Sequence, residues 1–288
     1  MKPTVYFSSH ITPESVLKLF RLLNKELPGN TAVKVHSGEP GNQNFLKPEF
    51  WKPVVEAVNG TVVECNTAYE GGRDTAPRHM QTLRDHGWSR LFPVDLLDAQ
   101  GPDLVLEIPE GKKIQKNFVG KDITNYNSML VLSHFKGHPM GGFGGALKQL
   151  SIGVASGYGK KYIHGVGVTE NFWSSDHDSF LEAMADAASS VTKLFGENLA
   201  YINVMMNMSV DCDCCPVAED PCMGDIGILA SLDPVAIDQA CVDLVYASED
   251  PGKAHLLERI ESRNGIHTVE AAAALGIGSR EYTLVKVE

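Results

Sequence analysis

Short apolar runs alternate with amphipathic stretches through most of this 288-residue chain. Residues 4–8, 31–36, 61–65 and 104–108 are compact β-prone runs. Residues 129–133 and 199–206 are almost wholly apolar, as buried strands are, and 226–230 and 282–287 add two more. Helical spacing fills the intervals. Val16, Leu17, Phe20, Leu23 and Leu27 recur at the helical period after Thr12-Pro13-Glu14, where Thr12 caps and Pro13 takes the first turn. Residues 48–58 predict a helix with Pro53 in its first turn or at a bend, and 76–86 predict another. Residues 146–155 carry a helical pattern. In 176–195, Phe180, Met184, Ala187, Val191 and Leu194 share a face, and Pro234 opens a helix that runs to 246. This alternation predicts an α/β fold, a mostly parallel sheet flanked by helices. It forms a single domain over 1–288, with lobes 1–125 and 126–288 around a shared core as the alternative subdivision.

Two segments break the pattern, and each follows a predicted strand, which places both at one end of the sheet. The first is Ser133-His134-Phe135-Lys136-Gly137-His138-Pro139-Met140-Gly141-Gly142-Phe143-Gly144-Gly145-Ala146-Leu147-Lys148. Its glycines allow tight turns and close approach of a ligand to bare backbone. Amides at the start of the following helix would favour an anion, with Lys136 and Lys148 adding charge. The segment lacks the Gly-Lys-Ser/Thr ending of a P-loop and the spacing of a dinucleotide fingerprint. A tight strand-to-helix connection is the competing reading. His134 and His138 are four apart, but Gly137 and Pro139 oppose a helix, so only a loop could bring both to one ion. Further on, Lys160, Lys161 and His164 read either as part of a site or as a solvated basic turn.

The second segment, 211–222, reads Asp-Cys-Asp-Cys-Cys-Pro-Val-Ala-Glu-Asp-Pro-Cys and holds four of the six cysteines. Thiolates crowded among carboxylates call for a positive partner, so metal ligation leads. Cys212 and Cys214 are a chelating pair, and Cys215 and Cys222 are further candidate ligands. The spacing matches neither bacterial ferredoxins nor zinc ribbons. A 4Fe–4S cluster or zinc is the expected cofactor. Asp211, Asp213 and Asp225 serve as ligands or, more commonly, loop caps. Cys65 and Cys241 read as ordinary buried residues.

Charge narrows the partners. A formal net charge of −11 leaves no basic excess for nucleic acid or anionic membranes, while one local basic site for a small anion is compatible with it. No apolar run reaches membrane-spanning length, and the N-terminus lacks a signal-peptide pattern. The expected location is the cytoplasm, where clustered thiols stay reduced.

The stretch 133–164, and the stretch 209–240 with Ser-Val-Asp-Cys-Asp-Cys and Asp225-Ile-Gly-Ile-Leu-Ala-Ser-Leu-Asp-Pro-Val-Ala-Ile-Asp-Gln-Ala, resemble the family catalogued as domain of unknown function 362. The resemblance covers most of the chain. It maps onto Lys136, His138, Gly141, Gly142, Gly144, Gly145, Lys148, His164, Cys212, Cys214, Asp225, Asp233 and Asp238. Cys215 and Cys222 lie outside it. Many members of that family are described as iron–sulfur proteins with a ferredoxin-like insert, expected after a position like His164. Here the chain passes from Gly165 to Asn171 and into the helix at Asp176.

Taken together, these features predict a metal-binding protein, iron–sulfur or zinc, of oxidoreductase or lyase type on a small anionic substrate. Lys136, His138 and His164 carry the chemistry, and the glycines with Lys148 hold the ligand. The alternatives are a non-catalytic iron–sulfur carrier that serves a redox partner protein, and a metal-free sugar- or nucleotide-binding protein.

Overall fold

Period-two patterning in the strands sorts two hydrophobic cores onto the two faces of one sheet. In the computed structural model, which describes residues 2–288, the first part of the chain forms β1 (Thr4–Ser8), α1 (Pro13–Leu22), β2 (Thr31–Lys34), α2 (Pro48–Ala57), β3 (Thr61–Glu64), α3 (Ala76–Asp85), α4 (Trp88–Leu91) and β4 (Val94–Leu96). The middle forms β5 (Leu104–Glu107), β6 (Lys116–Val119), β7 (Ser128–His134), β8 (Lys136–His138), β9 (Gly142–Gly144), α5 (Ala146–Lys148), α6 (Gly157–His164) and α7 (His177–Phe195). The last part forms β10 (Leu199–Met205), β11 (Gly227–Ser231), α8 (Pro234–Ala247), α9 (Lys253–Ser262), α10 (Ile266–Ala274) and β12 (Thr283–Lys286).

The main sheet has eight strands in the order β12-β1-β11-β10-β7-β2-β3-β4. Every neighbouring pair is parallel except those made by β11, which runs antiparallel to β1 and β10. Ala32, Met129, Val131, Tyr201 and Met205 pack on one face with residues of α5, α7 and α8. Val33, Leu130, Leu132, Ile202 and Val204 pack on the other with α1, α2 and Trp88. Both faces are covered, which is why the central strands read as almost wholly apolar runs.

Strand order proceeds outward from β2 through β3 to β4, and in the opposite direction from β7 to β10. It therefore reverses between β2 and β7, the place where α/β sheets open a crevice beyond the carboxyl ends of their strands. The segments after β2, β3, β7 and β10 all emerge there. The glycine-rich and cysteine segments meet as expected from the strands they follow, Gly137 N–H donating to the Ser209 carbonyl at 2.8 Å. The cysteine loop leaves at Met205 and returns at Gly227, and these two residues are paired partners in the sheet.

Several elements depart from the patterning. The basic stretch around Lys160 is helix α6 and not a solvated turn. Ser156 caps it by accepting the Gly159 N–H at 3.0 Å, and Ile163 packs with Phe180, Leu181 and Met184. Helices α9 and α10 and strands β4, β6, β8 and β9 had no clear signal. Pro53 lies in the second turn of α2, which continues through it. On α7, Leu194 is 40% exposed and Phe195 takes its place in the core, keeping the i, i+4 stripe from Val191.

Candidate metal and anion site

At the crevice a cavity of about 220 Å³ is walled by residues from separate parts of the chain. Behind β2 stand Lys34 and His36. From β3 come Glu64 and Cys65, and Arg73 approaches from the loop after it. The β7–β9 segment supplies His134, Lys136, His138, Gly144 and Gly145. Lys148 and Gln149 follow, then Lys160 and His164 on α6, with Trp173 beyond, and Cys214 closes the rim. Five lysines and arginines line it against one carboxylate, Glu64, and all of the five but Lys148 are buried.

Local chemistry explains much of the glycine content. A Cβ at Gly137 would strike the backbone of Val210, and one at Gly142 would meet the Cα of Gly265 at 2.8 Å. Gly142 also has φ +75°, which favours glycine. A Cβ at Gly145 would collide with the carboxylate of Asp238. That carboxylate accepts the N–H groups of Ala146 at 2.8 Å and Leu147 at 2.9 Å, and Asn203 Nδ2 at 2.7 Å. The amides at the start of this short helix, expected to be open to a bound anion, are thus held by the protein's own acid. Burial raises Asp238 to about 6 against those donors. Among these glycines Gly144 faces the cavity most openly, its added Cβ meeting only the Lys148 chain at 3.4 Å and the end of Lys136 at 3.9 Å.

The ligating groups converge on one side of the cavity. The donor atoms of His138, Cys212 and Cys214 all lie within 4.8 Å of one another, so the three could hold a metal ion. Cys212 is buried, and its Sγ is 3.6 Å from Lys148 Nζ and accepts the Cys214 N–H at 3.5 Å. The Cys214 hydrogen bond pulls the Cys212 thiol well below its usual range against the opposing effect of burial, with Lys148, Lys136 and His138 adding to it. Cys214 moves the opposite way, because its proton is shared toward Cys212 and Cys215. The Cys215 thiol sits beside Cys214 but outside the group of three. Cys222 turns away, its Sγ donating to the Met208 carbonyl at 3.2 Å. All six cysteines are free.

His138 is oriented by backbone. Its Nδ1 accepts the N–H groups of Met140 at 3.1 Å and Gly141 at 2.8 Å, so the neutral ring carries its proton on Nε2, which faces Cys214 Sγ at 4.0 Å. Burial, then Lys148, lower its pKa to about 4. His134 does not join it on an ion. Its Nδ1 lies 3.0 Å from Asp213 and its Nε2 2.6 Å from the Met206 carbonyl, so both nitrogens are engaged. Asp213 also pairs with Lys136 at 2.9 Å. Burial opposes its charge, yet His134 and Lys136 hold its carboxyl far below the usual range. Asp211 meets Arg259, and Asp225 accepts the Asn207 N–H at 2.8 Å, so both fasten loops. Asp233 caps α8 through Val235 and Ala236.

The remaining cations form a network that the motifs did not reveal. Lys34 pairs with Glu64 at 2.7 Å, and Arg73 with Glu39 at 2.9 Å and Glu64 at 3.5 Å. His36 lies beside Arg73, 3.4 Å away, and burial followed by Arg73 holds its pKa well below the ordinary value. The only trace in the sequence is a lysine inside Thr-Ala-Val-Lys-Val and a glutamate inside Val-Val-Glu-Cys, charges where a strand should be apolar. On α6, Lys160 and His164 are buried, while Lys161 is half-buried.

An α/β sheet with a cation-lined cavity and a cysteine–histidine group at the reversal of its strand order defines the class. The protein-family model described as "Domain of unknown function (DUF362)" matches residues 31–243, and the chain belongs to that family. No curated protein matches it. Among solved structures it is similar to the lactate racemase apoprotein from Thermoanaerobacterium thermosaccharolyticum, at 16% identity and a TM-score of 0.43, over 70% of this chain and 50% of that one. It is also similar to a protein from Thermotoga maritima, at 11% identity and a TM-score of 0.43, over 91% and 59%. The chain thus spans between half and three-fifths of the length of these two structures. Among the described residues no helix is long and apolar enough to cross a membrane.

Proposed function

We propose that this protein is a metal-dependent enzyme that acts on a small anionic molecule. One observation carries the reading. The three convergent donors of His138, Cys212 and Cys214 stand at the edge of a cavity that also receives Lys148 and Lys160, neither of which has a carboxylate partner among the described residues.

The donor set decides which metal group fits. Two sulfurs and one imidazole nitrogen are a set that catalytic zinc uses, with a position left for substrate. A 4Fe–4S cluster wants four thiolates. Here Cys215 lies outside the group and Cys222 is committed to the Met208 carbonyl, so a single thiophilic ion fits and a cluster does not. His138 presents its Nε2–H to the sulfurs, so binding an ion through Nε2 would require that proton to move to Nδ1, which would give up the Met140 and Gly141 N–H bonds, while the thiols release theirs. When bound, the ion would supply Lewis-acid polarisation of an oxygen on the substrate.

The chain's own groups supply the rest. Lys148 stabilises the Cys212 thiolate and extends its charge toward the cavity. Lys136 is held by Asp213 and the His134 carbonyl at 3.0 Å, so it contributes a fixed field and is not a free base. His164 is stacked on Phe180 with ring centroids 4.6 Å apart. Burial lowers its pKa to about 3, which leaves a neutral ring with one N–H to donate to a bound anion.

Elemental analysis of anaerobically purified protein tests this. The expected result is one equivalent of zinc or a similar ion, lost in the Cys212→Ser, Cys214→Ser double variant and kept in Cys222→Ser. Unchanged metal content in the double variant, or four irons with four sulfides, overturns it.

A further inference from the structure

The cations around the cavity divide by partner. Lys34, Arg73 and Lys136 each sit within 3.0 Å of a carboxylate. Lys148 has only the Cys212 sulfur at 3.6 Å. Lys160, 7% exposed, has only carbonyls, those of Ala155 at 2.6 Å and Cys65 at 3.5 Å. One turn further along α6 stands His164, 6% exposed, whose Nδ1 is buried without a hydrogen-bond partner among the described residues. The ring is sandwiched between Phe180 and Trp173, the latter at 4.9 Å between centroids. Residues four apart on a helix lie one above the other, so both side chains reach the cavity from the same face.

A buried ammonium that meets two carbonyls but no counter-charge is unfavourable unless an anion completes it. Burial already pushes the Lys160 pKa down, an effect that a bound anion would reverse. A phosphate would draw on more donors than a carboxylate, and the backbone N–H groups of Ala146 and Leu147 are already held by Asp238. One ammonium with one imidazole suits a carboxylate better. The cavity volume, about 220 Å³, is below the range for drug-sized ligands and admits an acid of a few carbons.

We propose that Lys160 and His164 form the anchor for a carboxylate of the substrate, which directs the rest of a short organic acid toward Lys148 and the Cys212–Cys214 pair. This rests on the reading of the cavity as the site of a small anionic substrate. It does not depend on which ion the cysteines hold.

The test is calorimetric titration of the full chain with malonate, succinate, acetate and inorganic phosphate, with the fluorescence of Trp173 beside His164 as a second readout. Malonate or succinate should bind at millimolar concentration or better, and phosphate more weakly. Lys160→Met should weaken that binding roughly tenfold or more, the loss of one charged hydrogen bond. Lys160→Arg should restore part of it, and His164→Gln should weaken it less. In the Cys212→Ser, Cys214→Ser variant, carboxylate binding should persist even though metal is lost, which separates this anchor from the metal site. Absence of dicarboxylate binding to the unmodified protein overturns the assignment, as does affinity within twofold in Lys160→Met or a preference for phosphate. Should Lys160→Met fail to fold, the Lys160→Arg and His164→Gln affinities decide in its place.

Discussion

On one wall of the cavity every cation has its carboxylate, and on the other none does. Lys34, Arg73 and Lys136 are locked to Glu64, Glu39 and Asp213, deep under the crevice. Lys148 and Lys160 reach the same space and meet a sulfur and two carbonyls. The first group behaves as part of the fold, because its charges are already neutralised and its geometry fixed. The second is held in place by packing while its charge remains unmatched. Burial alone does not distinguish the two walls, since Lys136 and Lys160 are both almost inaccessible. The partner does.

The contrast can be broken most forcefully at Glu64. Glu64→Leu strands Lys34 and weakens Arg73, and should cost about 3–5 kcal/mol in urea unfolding followed by circular dichroism. A change near zero would mean that the matched wall is not structural. Acid should act on the same wall. Although burial opposes their charge, Lys34 and its neighbours hold Glu64, and His134 with Lys136 hold Asp213, well below the ordinary carboxylate values. Depressed values in the folded state stabilise it fully above the unfolded values near 4, and that stability is lost as pH falls through the folded ones. Buried neutral His138 and His164, lowered to about 4 and about 3, add a loss that begins at the unfolded histidine value near 6.5, so the urea midpoint should fall gently below about pH 6.5 and steeply below about pH 4, and Asp213→Asn should shallow the steep part.

Smaller effects test the supporting shell. Gly145→Ala pushes a methyl into the Asp238 carboxylate and should destabilise by about 1–3 kcal/mol by the same assay. On the unmatched wall, Lys148→Met should leave stability within about 0.5 kcal/mol while raising the Cys212 thiol pKa. The rate of iodoacetamide labelling in metal-free protein, measured against pH, reads that shift. An unmoved profile would remove Lys148 as the partner of the thiolate.

How much of this was legible depended on where the signal lies. Strands such as 128–134 and 199–205 announce themselves because both faces are buried, so the apolar run is local. Helix α6 hides because Gly157-Tyr-Gly-Lys-Lys has poor intrinsic propensity, and its stability comes from a cap and from packing of Ile163 on α7. The same holds for the site. Crowded cysteines and a glycine–histidine run are visible in one window, and the structure brings His138, Lys136, Lys148, His164, Cys212 and Cys214 to one cavity. Lys34 and Glu64 are thirty residues apart and meaningful only once β2 and β3 lie side by side. Asp238 looked like part of its own helix, and instead it reaches across to the start of α5.

The pairing of Met205 with Gly227 has a further result. Because the cysteine loop begins and ends on adjacent, directly bonded positions of β10 and β11, it is an excursion whose two feet are clamped together. Opening it need break no rung of the main sheet, but it must break the Asp213 pairs with His134 and Lys136, so its amides should exchange as a unit only once that buried cluster parts, while the strands beneath stay protected. A change in its length would also cost little, since closure entropy grows only slowly with added residues. The sheet can therefore stay paired while the loop is lengthened or shortened between its feet and the Asp213, Cys212 and Cys214 that it delivers to the cavity.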